Sequence, residues 1–482
     1  MWDYINYVLL LFVDCFSNGE ALRWFICIII GMMIRSDNLG VTSIIRALDI
    51  EPRRYEALLH FFRAKSWVLS DIRAKWITII AHSGLLYRVN GKPVLIGDGV
   101  KQSKEGKKMP GVKRLFQESE NSGKPQFMFG HMFGCIGTLL GDAKKIFCTP
   151  LSMTLQDGNE VTGEWGNDPL AKESHVVRLV HEACSIASYI GSSILLLDRY
   201  FLTVPALKSW LEGIKKYAVS VTIVVKAKIN YTAYEILQPT AQDKKKPGRP
   251  RKKGASVKLK TLFTSHAKQF TQTVLTLYGK QTTVSYLCID LLWGAKLYHP
   301  LRFVLVRIKG MNDSILACKD LSMPAETIIE LYSLRFKIES CFRAFKQTIS
   351  GFAYHFWSVA MPKLNRYKKN EAAQAELKKV EDKAQQSVIL SAVKAIEGFI
   401  MFACIAQGLL QICALKFAGK YDAHLIRWLR TKRSAIHSEG TVADYLRKTI
   451  LGRQHMDADL PIRRLIQGVQ KSDPSNPDEG IA

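Results

Sequence analysis

The chain has no CxxC pair: its ten cysteines, Cys15, Cys27, Cys135, Cys148, Cys184, Cys288, Cys318, Cys341, Cys404 and Cys413, are scattered along 482 residues. That spacing excludes the common zinc motifs and a disulfide framework, and reads as small buried hydrophobes in a reducing compartment. No basic segment leads into an apolar stretch with a small-residue cleavage site, so a secretory leader is not expected and a cytoplasmic protein is. Uninterrupted apolar runs of membrane-spanning quality are missing too. Residues 26–33 are bracketed by Arg23 and Arg35, and residues 398–417 follow Glu397 and carry Gln407 and Gln411; both read as buried helices, with no membrane partner. No internal repeat is visible. Acid is the scarcest charge, 42 Asp and Glu against 68 Lys and Arg, a formal net charge of +26. Such an excess points to a polyanionic partner, nucleic acid first. The length exceeds one ordinary core, so roughly two to four domains are expected.

What is present falls into blocks. Residues 1–90 carry apolar periodicity of helical type between polar turns, and the cations Arg46, Arg53, Arg54, Arg63 and Lys65 would either grip DNA or lie solvated on that helical region. At 93–97 (PVLIG) a short apolar run ends at Asp98; residues 127–140 and 145–155 read as further strands. Asp168 and Pro169 form a cap and first-turn pair for a helix to Tyr189 with Gly191 as its stop. Residues 193–197 (SILLL) are a second buried strand ending at Asp198, and a helix at 204–216 leads to a strand at 219–225. Continuous apolar strands joined through helices indicate a mixed α/β sheet covered on both faces.

Residues 230–320 form a β-rich insertion. It opens with a cationic segment at 244–260 holding nine positive residues and no acid. There Gly248-Arg249-Pro250, followed by Arg251, Lys252 and Lys253, resembles an AT-hook that lies in the minor groove; a flexible basic linker is the other reading, and both touch phosphates. Residues 361–482 return to helices and end in a disordered tail.

Residues 331–346 (LYSLRFKIESCFRAFK) concentrate chemistry. On one helix, at about 100° per residue, Tyr332, Arg335, Glu339, Arg343 and Lys346 share one arc. Leu331, Leu334, Ile338, Phe342 and Phe345 fill the adjoining apolar arc that docks the helix. Pro324 and Gly351 mark its limits. Alone, the polar arc is an ordinary solvated face with Arg335–Glu339 pairing. Together with Asp98 and Asp198, at the C-terminal ends of buried strands where open α/β sheets place ligands, it completes three acids suited to one or two hard divalent cations and phosphodiester chemistry.

Tyr332, Arg335, Glu339 and Lys346 reproduce the Y-x2-R-x3-E-x6-K signature, and on it the chain resembles the DDE transposases of bacterial insertion sequences, the IS-four family type. Asp98 in IGDGVKQSKEG and Asp198 in LLLDRYF resemble that family's other catalytic motifs. The resemblance spans residues 92–357. It implies an RNase H-like core, a mixed five-stranded sheet at 91–229 and 321–360, with the β-rich insertion before the third acid and helical regions on either side. It implies that Asp98, Asp198 and Glu339 hold two Mg²⁺ or Mn²⁺ ions. It also implies cut-and-paste transposition by strand nicking, a hairpin and strand transfer on double-stranded DNA, at terminal inverted repeats and target, within a homodimeric synaptic complex. Tyr332, Arg335 and Lys346 would hold phosphates, with Arg343 a lesser candidate. Trp293 would be either a base-stacking wedge or an ordinary core tryptophan. His131 in GHMFG would approach the site or pack as a strand histidine, and Lys101, Lys104, Lys107 and Lys108 would track DNA or be solvated. Two other readings are a domesticated DNA-binding descendant and a stand-alone metal-dependent nuclease. Inverted repeats flanking the coding sequence separate the transposase from both.

Overall fold

A computed structural model describes residues 1–117, 123, 125–237, 252–364, 375–421, 436–451 and 468. The chain is mixed α/β with a large mixed sheet. It divides into two compact units, one of Met1–Tyr87, Gly99–His175 and Glu339–Ala482, the other of Arg88–Asp98 and Val176–Ile338.

The first unit starts with five helices, α1 (Trp2–Leu10), α2 (Gly19–Ile34), α3 (Val41–Ala47), α4 (Tyr55–Arg63) and α5 (Leu69–Ala81). Asn18 caps α2 by accepting from the Ala21 amide at 2.8 Å, and the helix is apolar on nearly every face because it lies inside the unit. The same holds for the long helix Lys383–Lys416, capped by Asp382. Length and composition alone would let that helix cross a membrane, yet 67% of its most apolar window is buried, as in the core helix of a soluble protein. Its polar side chains bond within the unit: Glu397 accepts from the Leu155 amide at 3.0 Å, Gln407 donates to the Cys341 carbonyl at 3.1 Å, and Gln411 donates to the Cys148 carbonyl at 3.1 Å. Gly398 and Gly408 let indoles lie against its backbone. A Cβ at Gly408 would sit 2.3 Å from the Trp76 ring, and one at Gly398 would sit 2.5 Å from Trp67.

After β1 (Arg88–Val89) and β2 (Lys92–Ser103), this unit carries β3 (Lys113–Phe116) and the hairpin of β4 (Phe127–Asp142) and β5 (Lys145–Asp157), followed by α6 (Glu160–Trp165). The long helix packs against β5, α2, α4 and α5. Asp168 does not cap a helix. Its carboxylate accepts from the Leu170 amide at 2.9 Å in a local turn, and α7 (His175–Ile190) starts later, because Asp-Pro favours a turn of its own here.

In the second unit β2 pairs in parallel with β6 (Ser193–Leu197), and β6 pairs in parallel with β7 (Val221–Ala227). α7 leads into β6 and α8 (Val204–Lys216) into β7. The sheet continues antiparallel through the insertion: β7 pairs with β13 (Ser314–Cys318), β13 with β12 (His299–Ile308), and β12 with β11 (Lys280–Trp293), which also pairs with β10 (Thr271–Leu277). β8 (Thr232–Tyr234) and β9 (Ser256–Lys258) close the edge, followed by α9 (Leu259–Ser265). The end of the basic segment is therefore folded, whereas its middle lies outside the described residues.

The expected single helix over 331–346 is two: α10 (Ala325–Leu334) and α11 (Lys337–Gln347). Arg335 and Phe336 form a turn between them. The Arg335 amide donates to the Tyr332 carbonyl and the Ile338 amide to the Arg335 carbonyl, both at 3.1 Å, in i→i+3 bonds that tighten the chain. The apolar period runs through this break, so the sequence conceals it. The boundary between units falls three residues on, between Ile338 and Glu339.

Candidate active site

β2 and β6 run side by side in one direction, with Gly97 opposite Leu197 as the last paired residues. Asp98 and Asp198 follow immediately. Asp198 keeps an extended backbone, φ −79° and ψ 170°, so the two carboxylates leave matched positions on neighbouring strands about 5 Å apart. The apolar runs before them are fully buried, which fixes the register and with it the height of both acids.

Two residues from the α10 turn face this pair. Arg335 Nη2 donates to Asp98 Oδ2 at 3.0 Å, with side-chain exposures of 14% and 20%. Tyr332 Oη makes a longer contact, 3.4 Å, with Asp198 Oδ1. Burial first, and then the Asp198 charge, push the Tyr332 phenol well above its ordinary pKa, so it remains a protonated donor at neutral pH. The β10–β11 hairpin tip brings Tyr278 close enough to Tyr332 to add to that shift, and its ring meets Phe336 edge-on at 6.3 Å between centroids. Tyr278 and Phe336 are both exposed. Neither stands out in the sequence, because Tyr278 belongs to a distant turn and Phe336 has the look of an ordinary helix residue.

The remaining expected residues fall as follows. Glu339 lies exposed in the first turn of α11, and Arg343 and Lys346 are exposed further along it. Lys346 Nζ stands 6.0 Å from the centre of the Phe352 ring. Trp293 is 7% exposed, at the end of β11, with its ring 5.2 Å from that of Tyr231. Arg249 and Arg251 lie outside the described residues. Lys252 is exposed, while Lys253 Nζ is held 3.8 Å from the Tyr234 ring and 4.8 Å from the Tyr298 ring. His131 is a packed histidine, completely buried, bonded to the Tyr354 hydroxyl at 2.6 Å and the Pro110 carbonyl at 2.9 Å. Lys101 donates to the Phe116 carbonyl, and Lys104 is buried rather than solvated.

The structure thus brings together Asp98, Asp198, Arg335 and Tyr332. Among the described residues no group of three or more His, Cys, Asp and Glu side chains is placed to hold a metal ion. The paired carboxylates nonetheless present the hard oxygen donors that divalent Mg²⁺ and Mn²⁺ prefer, in a number that leaves positions for water or phosphate.

Residues 11–155, with Asp98 among them, match the model of a family described as DDE superfamily endonuclease. The match covers 145 of the 482 residues and stops short of Asp198 and Glu339. Neither the curated proteins nor the solved structures compared with the chain give a match.

Proposed function

We propose that the protein is a transposase of the IS-four type, which nicks the ends of an insertion sequence and transfers them to target DNA by a divalent-metal-dependent cut-and-paste route. The observation that carries this reading is the matched placement of Asp98 and Asp198 immediately after Gly97 and Leu197, the last paired residues of the parallel β2 and β6, with the arginine and tyrosine of the Y-x2-R-x3-E-x6-K signature against them. The parallel order β2-β6-β7, with α7 leading into β6 and α8 into β7, supports an RNase H-like core whose β-rich insertion precedes Glu339.

In this reading Asp98, Asp198 and Glu339 hold the metal. When bound, two divalent cations lower the pKa of an attacking water or 3′ hydroxyl and stabilise the leaving oxygen. Arg335 fixes the Asp98 carboxylate, and its planar fork suits two oxygens of a phosphate beside the scissile bond. Tyr332, kept protonated, donates a hydrogen bond to Asp198 or to that phosphate. Lys346 adds a point charge on α11. The freed 3′ hydroxyl attacks the opposite strand to leave a hairpin, which water reopens before strand transfer. Two copies of the chain hold the two element ends in a synaptic complex in the cytoplasm.

The test is an end-labelled duplex carrying the element's terminal repeat, incubated with protein and Mg²⁺ and resolved on a denaturing gel. A nicked strand followed by a hairpin of doubled length is expected. Nicking with no hairpin and no strand transfer would favour the stand-alone nuclease.

A further inference from the structure

Residues 351–364 follow α11 without forming helix or sheet, yet their burial alternates as in a strand. Phe352, Tyr354, Phe356 and Ser358 are buried, whereas His355, Trp357 and Val359 face solvent. The inward row is packed on aromatic rings of the first unit, Phe356 at 5.0 Å from Phe62 and Tyr354 at 5.9 Å from Phe399. An extended chain outside a sheet leaves carbonyl oxygens that need donors, and cations supply them. Lys104 Nζ donates to the Phe352 and Tyr354 carbonyls at 2.6 and 2.8 Å. Arg63 donates to the Trp357 carbonyl and Lys108 to the Val359 carbonyl, both at 3.0 Å. In return the Ser358 amide donates to the Lys108 carbonyl at 3.0 Å and the Leu364 amide to the Lys107 carbonyl at 2.8 Å.

This strap therefore presents the Trp357 indole, 52% exposed, at a fixed place between exposed cations. Arg63 comes from α4, and Lys107 and Lys108 from the loop after β2. A flat ring held rigid among positive charges matches two features of a nucleic-acid strand at once, the face of an unstacked base and the phosphates on either side. Duplex DNA offers phosphates but keeps its base faces stacked. A second copy of this chain, with its own net charge of +26, would bring like charge to the patch.

We propose that residues 355–359 form a single-strand DNA surface, with Trp357 stacking on an unpaired base and Arg63, Lys107 and Lys108 meeting the adjoining phosphates. The inference rests on DNA being the partner, as proposed above, but on none of the residues of the carboxylate site. Such a surface would serve a substrate that carries unpaired nucleotides during strand breakage and joining.

The test is fluorescence anisotropy of a labelled thymidine oligonucleotide and of a labelled duplex of equal length, with the full chain in EDTA so that no cleavage occurs. W357A is expected to weaken single-strand binding about tenfold or more while changing duplex binding little. W357F, which keeps a stacking ring, retains most of the affinity and serves as the folding control. K107Q is expected to lower the salt slope of single-strand binding by about 0.7. Equal single-strand affinity in W357A and the wild type, with cleavage of the element end intact, overturns this surface and leaves the proposed function standing. Unchanged DNA binding with altered sedimentation of W357A overturns it in favour of a protein interface. A wild type that binds neither DNA overturns both this surface and the transposase reading.

Discussion

Arg335 donates to Asp98 across 3.0 Å, although 237 positions separate the two residues in sequence. The guanidinium offsets the repulsion of two carboxylates, Asp98 and Asp198, set side by side by parallel strand register. A group in that place serves equally to hold the carboxylate and to greet a phosphate.

Arg335→Ala is therefore expected to weaken binding of the element end and to lower the slope of log K against log salt by about 0.9, the release expected for one phosphate contact on duplex DNA. Arg335→Lys should recover the slope but not the cleavage rate, because an ammonium cannot replace the fork. Titrations of the duplex across a salt series check this, and an unchanged slope in Arg335→Ala would assign the arginine a structural role alone.

Arg35 marks another long-range dependence. Its buried guanidinium donates to the carbonyls of Ile349 and Ser350 just past α11, at 2.6 and 2.8 Å, and to that of Gly40 at 2.9 Å. Arg35→Met should strip the Ile349 carbonyl of the guanidinium and leave the Ser350 and Gly40 carbonyls only the Ala353 amide and the Ser43 hydroxyl, at a cost of about 3 kcal/mol, measured by urea unfolding. Arg35→Lys should not restore the loss, since one ammonium lacks the planar reach of a guanidinium.

His131 makes stability sensitive to acid. Burial lowers its pKa from 6.5 to about 3, against the weaker opposing pull of the Pro110 carbonyl. Unfolded chains thus bind a proton at this residue between those values while folded ones do not. Its contribution is complete above pH 6.5 and is lost as pH falls toward 3, at a slope of up to about 1.4 kcal/mol per pH unit. His131→Gln should flatten that part of the stability curve, whatever it does to the plateau at neutral pH. Thermal melts from pH 4 to 8 give the comparison, and parallel curves would contradict the assignment.

Much of the frame can be read from local chemistry. PVLIG before Asp98 and SILLL before Asp198 are apolar runs of strand length, and a covered sheet needs them, so the residue pattern places Asp198 at its strand end; β2 instead runs on through Asp98 to Ser103, and only its parallel pairing stops at Gly97. The strands of the insertion are legible from their β-branched and aromatic content. Residues 331–346 are half legible: the apolar stripe is real, but the tight turn at Arg335 and Phe336 depends on i→i+3 bonds that leave no mark on the period. Trp293 illustrates a different limit, because burial against Tyr231 is decided by a partner from another part of the chain. The strap does carry a signal, the alternation in FAYHFWS, which is too short to stand out among helical periods on either side. Arg35 and Lys104 are beyond reach, since each is fixed by carbonyls hundreds of residues away.

The central claim is that Asp98 and Asp198 together hold a divalent cation for DNA cleavage. The most direct measurement is Mn²⁺ binding to the protein on its end duplex, followed by electron paramagnetic resonance, in the wild type, Asp98→Asn, Asp198→Asn and Glu339→Gln. Each variant should bind the duplex but lose about tenfold or more in Mn²⁺ affinity and all detectable cleavage. Mn²⁺ affinity and cleavage at wild-type levels in either aspartate variant would contradict the account.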